Sequence, residues 1–366
     1  MAAHAHATIP PWTWLVPLAG TAFLAAKAAG FASMENAVGI AAAACLLAAC
    51  VFASVHHAEL LAVKLGEPFC AVLLAVAITV IEVGLIASIM FSGAAGAETV
   101  ARDTVFSAAM IVLNGVVGLC LVLGGRRHFE QSFRGDGASA ALAVLGTLAV
   151  VALILPNFTV AAQGPVFAPA QLIAVGIVSL ALWGVFVFVQ TVRHRDYFLD
   201  AAEDGAEVSP HDKPTDAVAW ASLGALLVAL VAVVLLAKAL SAPMDRGIAA
   251  AGLPPTFLGV VIATIVLLPE GLAAVRSALA NRLQNSINLA LGSAVASIGL
   301  TVPVVALLAV ALGVVPSLGV SPANMVLLGL TLFASTLTLA AGRTTVLQGA
   351  VHLVIFVVFL LVAAIP

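Results

Sequence analysis

Eleven apolar stretches, each about as long as a bilayer is thick, account for most of this chain. They fall near residues 13–33, 36–55, 68–91, 104–124, 138–156, 168–191, 217–240, 255–275, 284–311, 322–341 and 344–365. A helix crosses the hydrocarbon core with about 20 residues. A helix also bonds its own backbone N–H and C=O groups, which lipid cannot do for it. The runs therefore predict an all-α polytopic membrane protein of about 11 transmembrane helices. Composition agrees: 63% hydrophobic and 8% charged residues leave too little charge to cover a soluble core. The net charge of −3 comes without any basic patch interleaved with aromatics, so no nucleic-acid partner is expected. Cys45, Cys50, Cys70 and Cys120 lie in or beside apolar runs with no metal-ligand spacing, and read as small packing residues. The first residues lack Lys and Arg, so the first apolar stretch reads as a retained span and not a secretory leader.

Two of the spans carry a buried-looking acid. Glu82 is the only charge between Pro68 and Met90, and Glu270 is the only charge between Pro255 and Val275. An ionisable group at membrane depth costs about 2.5 kcal/mol or more, so it marks a functional site by default. Glu82 falls in the third span and Glu270 in the eighth, five spans apart. Five is odd, so the two halves enter the membrane with opposite polarity. That is the inverted-repeat plan of secondary transporters, whose substrate site lies near the midplane between the repeats. The spans that follow each acid also share a loose pattern, beginning at Arg102 and at Arg282. The domains predicted are residues 1–34 as an extra N-terminal helix, 35–191 as the first five-helix repeat, 192–216 as an acidic loop, and 217–366 as the second repeat.

The connections set the orientation. Ten of the 14 basic residues fall on the side shared with the N-terminus and four on the other. Positive loops stay cytoplasmic. The N-terminus and the 192–216 loop are therefore expected inside and the C-terminus outside, in a bacterial-type inner membrane.

From Pro255 to Pro303, PTFLGVVIATIVLLPEGLAAVRSALANRLQNSINLALGSAVASIGLTVP resembles the second α-repeat of the cation/calcium exchanger superfamily, and most of all the bacterial calcium/proton antiporters of the ChaA type. AITVIEVGLIASI, from Ala77 to Ile89, resembles the first α-repeat. The resemblance implies that Glu82 and Glu270 bind the cation, with Asn114 and Ser293 as small polar residues of the next span facing the site. Many family members carry Gly-Asn shortly before the acid. Here Ile78-Thr79 and Val266-Leu267 stand instead, so Thr79 and Thr264 are the candidates to supply oxygen.

Calcium wants six to eight oxygen ligands, and two carboxylates neutralise its charge. Backbone carbonyls released at a helix break would complete the shell, and Pro269 beside Glu270 is placed to make such a break. Protons compete with a cation for the same carboxylate oxygens, and two protons balance one divalent ion. The expectation is exchange of cytoplasmic calcium for external protons by alternating access, with sodium or potassium exchange at the same site as the alternative and a passive channel behind both. Calcium and protons are the expected substrates and lipid the surrounding partner. No cofactor is expected. No hydrolase motif is present, so no enzyme is predicted.

The remaining polar residues receive plainer readings. His56, His57 and Glu59 read as a solvated span end. His4 and His6 read as a tail, and His352 as a packed or lumen-facing neutral imidazole in the last span. Asn285 and Asn288 read as caps or vestibule groups at the start of the ninth span. Glu98, Arg102 and Asp103 read as an external entrance. Asp196, Asp200, Glu203, Asp204, Glu207, Asp212 and Asp216 show no calcium-loop spacing and read as a charged linker.

Overall fold

The computed structural model describes residues 10–199 and 214–366, apart from 32, 35, 66–68 and 93–96. His4, His6, Asp200, Glu203, Asp204, Glu207 and Asp212 lie outside the described residues, as does the side chain of Cys70. Eleven long helices follow the eleven apolar stretches in order. They are α1 (Pro11–Ala28), α2 (Ala37–Leu65), α3 (Phe69–Ser92), α4 (Val100–His128), α5 (Gly135–Phe158), α6 (Pro169–Arg193), α7 (Asp216–Ala250), α8 (Phe257–Leu279), α9 (Leu283–Leu312), α10 (Pro322–Ala340) and α11 (Val346–Ala364). Among the described residues, nine of these are long and apolar enough to cross a membrane by themselves, and α3 adds the apolar stretch Val76–Phe91. The protein is an all-α polytopic membrane protein.

Local chemistry explains the helix ends. Pro11, Pro169 and Pro322 occupy first-turn positions, where a missing N–H costs nothing. Ser321 accepts from Asn324 N at the start of α10, and Gln348 accepts from Thr345 N at the start of α11. Gly313 closes α9 in the left-handed region. Among the described residues, three spans contain a wide π turn: Ile111–Val116 in α4, Val150–Ile154 in α5 and Val189–Arg193 in α6.

The chain divides into two compact units. The first holds α1, α2, α3 as far as Ser88, and α7 as far as Gly247. Within it, Gly20 lets α1 approach Cys50 of α2 and Leu236 of α7, and Gly84 lets α3 meet Val234 of α7. The second unit holds the rest. Its core is built from Met110, Leu113 and Leu121 of α4, Leu145 and Leu153 of α5, and Ile287 and Ile298 of α9.

The second unit shows the same neighbours twice. Helix α4 packs on α11, and α9 packs on α6. Strand β1 (Gln131–Ser132), between α4 and α5, pairs with β2 (Arg343–Thr344), between α10 and α11. Val166, between α5 and α6, bridges Ser317, between α9 and α10. A shift of five helices turns each pairing into the other. Bonds between connections also respect the alternation of spans. Gln131 reaches Asn281 and Ala278, Lys64 reaches Asp216, and Arg102 reaches Ser317, each time joining ends of equal parity.

Candidate functional site

Glu270 lies in α8, 6% exposed, on the face shared by Ala263, Val266, Leu267 and Ala274. Helix α8 runs unbroken through Pro269, which corrects the expectation of a break. The proline still removes one donor, so the Ile265 carbonyl one turn earlier has no helical N–H opposite it. The short turn after α8 puts Asn281 in the left-handed region and returns the chain as α9. Ser286 donates to Ala274 O at 2.8 Å, fixing how the two helices align. Farther along α9, the Ser293 hydroxyl donates to Glu270 Oε2 at 2.5 Å. The structure therefore joins two of the residues singled out in the sequence, and it gives Glu270 a short, buried hydrogen bond.

Glu82 lies in α3 of the first unit, 3% exposed, among Ile78, Ile81, Leu85 and Ile86. Thr79 is buried one turn earlier on the same face. The matching expectation for Thr264 is corrected. Thr264 precedes Glu270 by six residues, sits on the exposed stripe with Leu268 and Leu272, and donates to Val260 O at 2.7 Å. Six residues turn a helix about 240°, so the two side chains do not share a face.

Asn114 sits in the π turn of α4 and is fully buried. Its Nδ2 donates to Thr331 Oγ1 of α10 at 2.9 Å, and its Oδ1 lies 3.2 Å from His352 Nδ1 of α11. The other nitrogen of His352 lies 3.1 Å from Thr338 Oγ1. The sequence marked Asn114 and His352 separately and gave no sign that they meet.

The histidine pair is a further correction. Helix α2 extends to Leu65, and His57 is buried with Nε2 3.2 Å from Thr13 O and its ring against Trp14. It is not a solvated span end. Among the described residues no three His, Cys, Asp or Glu side chains come together as a metal cluster. Asn288 donates to the Phe198 carbonyl and accepts from Gln284, so it anchors the start of the central loop. At the other end of the second unit, Arg102 and Asp103 form a half-buried ion pair at 2.8 Å. They border a cavity of about 540 Å³ that Ser107, Asn157, Asn324 and Phe359 also line.

The model of the sodium/calcium exchanger protein family matches the chain twice, over residues 35–192 and 221–365. The chain belongs to this family. Each matched stretch contains one of the two buried acids, Glu82 in the first and Glu270 in the second. The chain is 58% identical over 360 residues to a protein of Sinorhizobium fredii named "Putative ionic transporter y4hA", covering 98% of both chains. It is 35% identical over 313 residues to the sodium-potassium/proton antiporter ChaA of Escherichia coli, covering 85% of this chain and 84% of ChaA. It shares its fold with the solved structures of YfkE (TM-score 0.73, 17% identity, 97% of this chain and 100% of that one) and of the H+/Ca2+ exchanger CAX (TM-score 0.72, 15% identity, 95% and 87%). The family consists of transporters, and this member is an integral membrane protein of the cation-antiporter class.

Proposed function

We propose that the protein exchanges cytoplasmic calcium for external protons by alternating access, with Glu82 and Glu270 taking cation and protons in competition. The observation that carries this reading is the buried Glu270 side chain bonded to Ser293, with a second buried acid, Glu82, inside the other stretch that the family model matches. Such groups persist inside a membrane because they bind what crosses it. The recurrence of neighbours after five helices supports two inverted repeats, 35–191 and 217–366, with α1 as an extra helix. Two carboxylates balance the charge of one calcium ion, or carry two protons in its place. Thr79, one turn before Glu82, and the Ile265 carbonyl freed by Pro269 are candidates for further oxygens toward the six to eight that calcium takes. Asn114 and Ser293 support the acids. The distribution of basic residues supports a cytoplasmic N-terminus and central loop and an external C-terminus.

Sodium or potassium exchange at the same acids is the second reading. It is favoured by the 35% identity to a sodium-potassium/proton antiporter, against 24% to a Ca(2+)/H(+) antiporter of Aphanothece halophytica. The test is proton-gradient-driven uptake of labelled calcium into vesicles, with sodium and potassium as competitors. Glu82→Gln and Glu270→Gln each abolish uptake while the protein stays in the membrane. Near wild-type uptake by either variant removes that acid from the mechanism. Sodium or potassium uptake without calcium uptake selects the second reading.

A further inference from the structure

The last span carries one titratable side chain, His352, and the exchange chemistry does not use it. It is fully buried, and its two ring nitrogens face Asn114 Oδ1 at 3.2 Å and Thr338 Oγ1 at 3.1 Å. Around them stand Thr331, which accepts from Asn114 Nδ2, Met110, whose sulfur lies 3.5 Å from Thr331 Oγ1, and the Leu113 backbone carbonyl, which also takes a hydrogen bond from the His352 ring. All these partners are neutral, so the cluster suits a neutral ring with Nδ1–H donating to Asn114 and Nε2 accepting from the Thr338 hydroxyl. A proton carrier would need a counter-charge, and these partners supply none.

The approach that makes this contact is built into the sequence. A Cβ on Gly118 would stand 3.0 Å from His352 Cβ, and one on Gly115 would stand 3.2 Å from the Phe356 ring. A Cβ on Gly349 would stand 2.7 Å from Val122 N. These three glycines let α11 lie close enough to α4 for a histidine to reach the π turn. Ser293 donates to Glu270, and Asn114 is clamped at both ends of its amide by α10 and α11. A carbonyl oxygen has two lone pairs, so accepting from His352 orients Asn114 Oδ1 and leaves one lone pair for a cation.

We propose that His352 is a positioning residue that sets cation selectivity by fixing the orientation of the Asn114 side-chain oxygen. The proposal rests on the reading above, in which Asn114 supports the cation site. Fixed oxygens distinguish cations by size and charge because a rigid ligand does not follow a smaller or larger ion.

Two substitutions separate the nitrogens. In His352→Asn the amide nitrogen takes the place of Nδ1, keeping the donor to Asn114 and losing Thr338. In His352→Gln the amide reaches the place of Nε2, keeping Thr338 and losing Asn114. Purified protein is assayed in two ways: equilibrium binding of labelled calcium with sodium and potassium as competitors, and proton-driven uptake in proteoliposomes. His352→Gln shifts the calcium-to-sodium preference by about ten-fold, the effect of one lost buried hydrogen bond. His352→Asn keeps the wild-type preference. Both variants keep the wild-type melting temperature within about 4 °C. A wild-type preference in His352→Gln overturns the proposal, and so does an equal shift in both variants, which would mark a packing role. If wild-type protein binds calcium without exchanging it for protons, the exchange reading fails while the binding ratios still decide the role of His352. If it binds none of these cations, both fall.

Discussion

Replacing Ser293 with Ala removes one oxygen from the membrane interior and little else. The hydroxyl donates to Glu270 Oε2 at 2.5 Å, both residues are buried, and Ser286 on the same helix keeps its separate bond to Ala274. A hydrogen bond to a charged group contributes roughly 1.5–3 kcal/mol, and one between neutral groups roughly 0.5–1.5. The ionised carboxylate takes the cation, and the protonated one does not. Ser293→Ala therefore penalises the cation-loaded form against the proton-loaded form by the difference, roughly 1–2 kcal/mol. At fixed pH that raises the half-saturating cation concentration about 5- to 30-fold. The maximal rate at saturating cation changes far less, because both acids remain. The assay is cation-induced collapse of an imposed pH gradient in proteoliposomes, followed with a trapped pH-sensitive dye over a range of cation concentrations. Ser293→Thr retains the hydroxyl and serves as the control. A half-saturating concentration for Ser293→Ala within two-fold of wild type, at equal reconstitution, would refute the claim that this bond supports the cation-loaded state.

Other consequences can be checked separately. Acidifying the side from which the cation binds raises its half-saturating concentration, and excess cation restores the rate, because protons and cation share the carboxylates. Uptake titrations at several pH values on that side read this, and a half-saturating concentration independent of pH would point to a separate proton path. Gly349→Ala places a Cβ 2.7 Å from Val122 N and 2.8 Å from Gly118 O, so α11 must move off α4 at a cost of about 1–3 kcal/mol. Its melting temperature in detergent falls, whereas Gly184→Ala, with nothing within 4 Å, does not lower it. For orientation, a cysteine at Asp196 in a background lacking native cysteines is shielded from an impermeant reagent added to intact cells. A cysteine at Val160, 99% exposed between α5 and α6, is labelled. The reverse pattern would turn the topology over.

Hydropathy alone determined the order of the long helices and their approximate ends, because the cost of placing a residue in lipid is paid residue by residue and adds along the chain. It also singled out Glu82 and Glu270, since a lone acid in an apolar run is visible without any knowledge of neighbours. A family likeness marked Ser293 as a small polar residue facing the site, and the α8–α9 hairpin turned that into a bond to Glu270. Other features were settled by tertiary structure. Thr264 looked equivalent to Thr79, yet the rotation of α8 puts it on the exposed stripe. His57 looked like a span end, yet α1 covers it. Asn114 and His352 are 238 residues apart and meet because a π turn widens α4 and glycines let α11 close in. A helix's rotation about its axis and its distance from a neighbour depend on all the residues it packs against. Those two quantities decide which buried polar groups find each other, and no local stretch of sequence contains them.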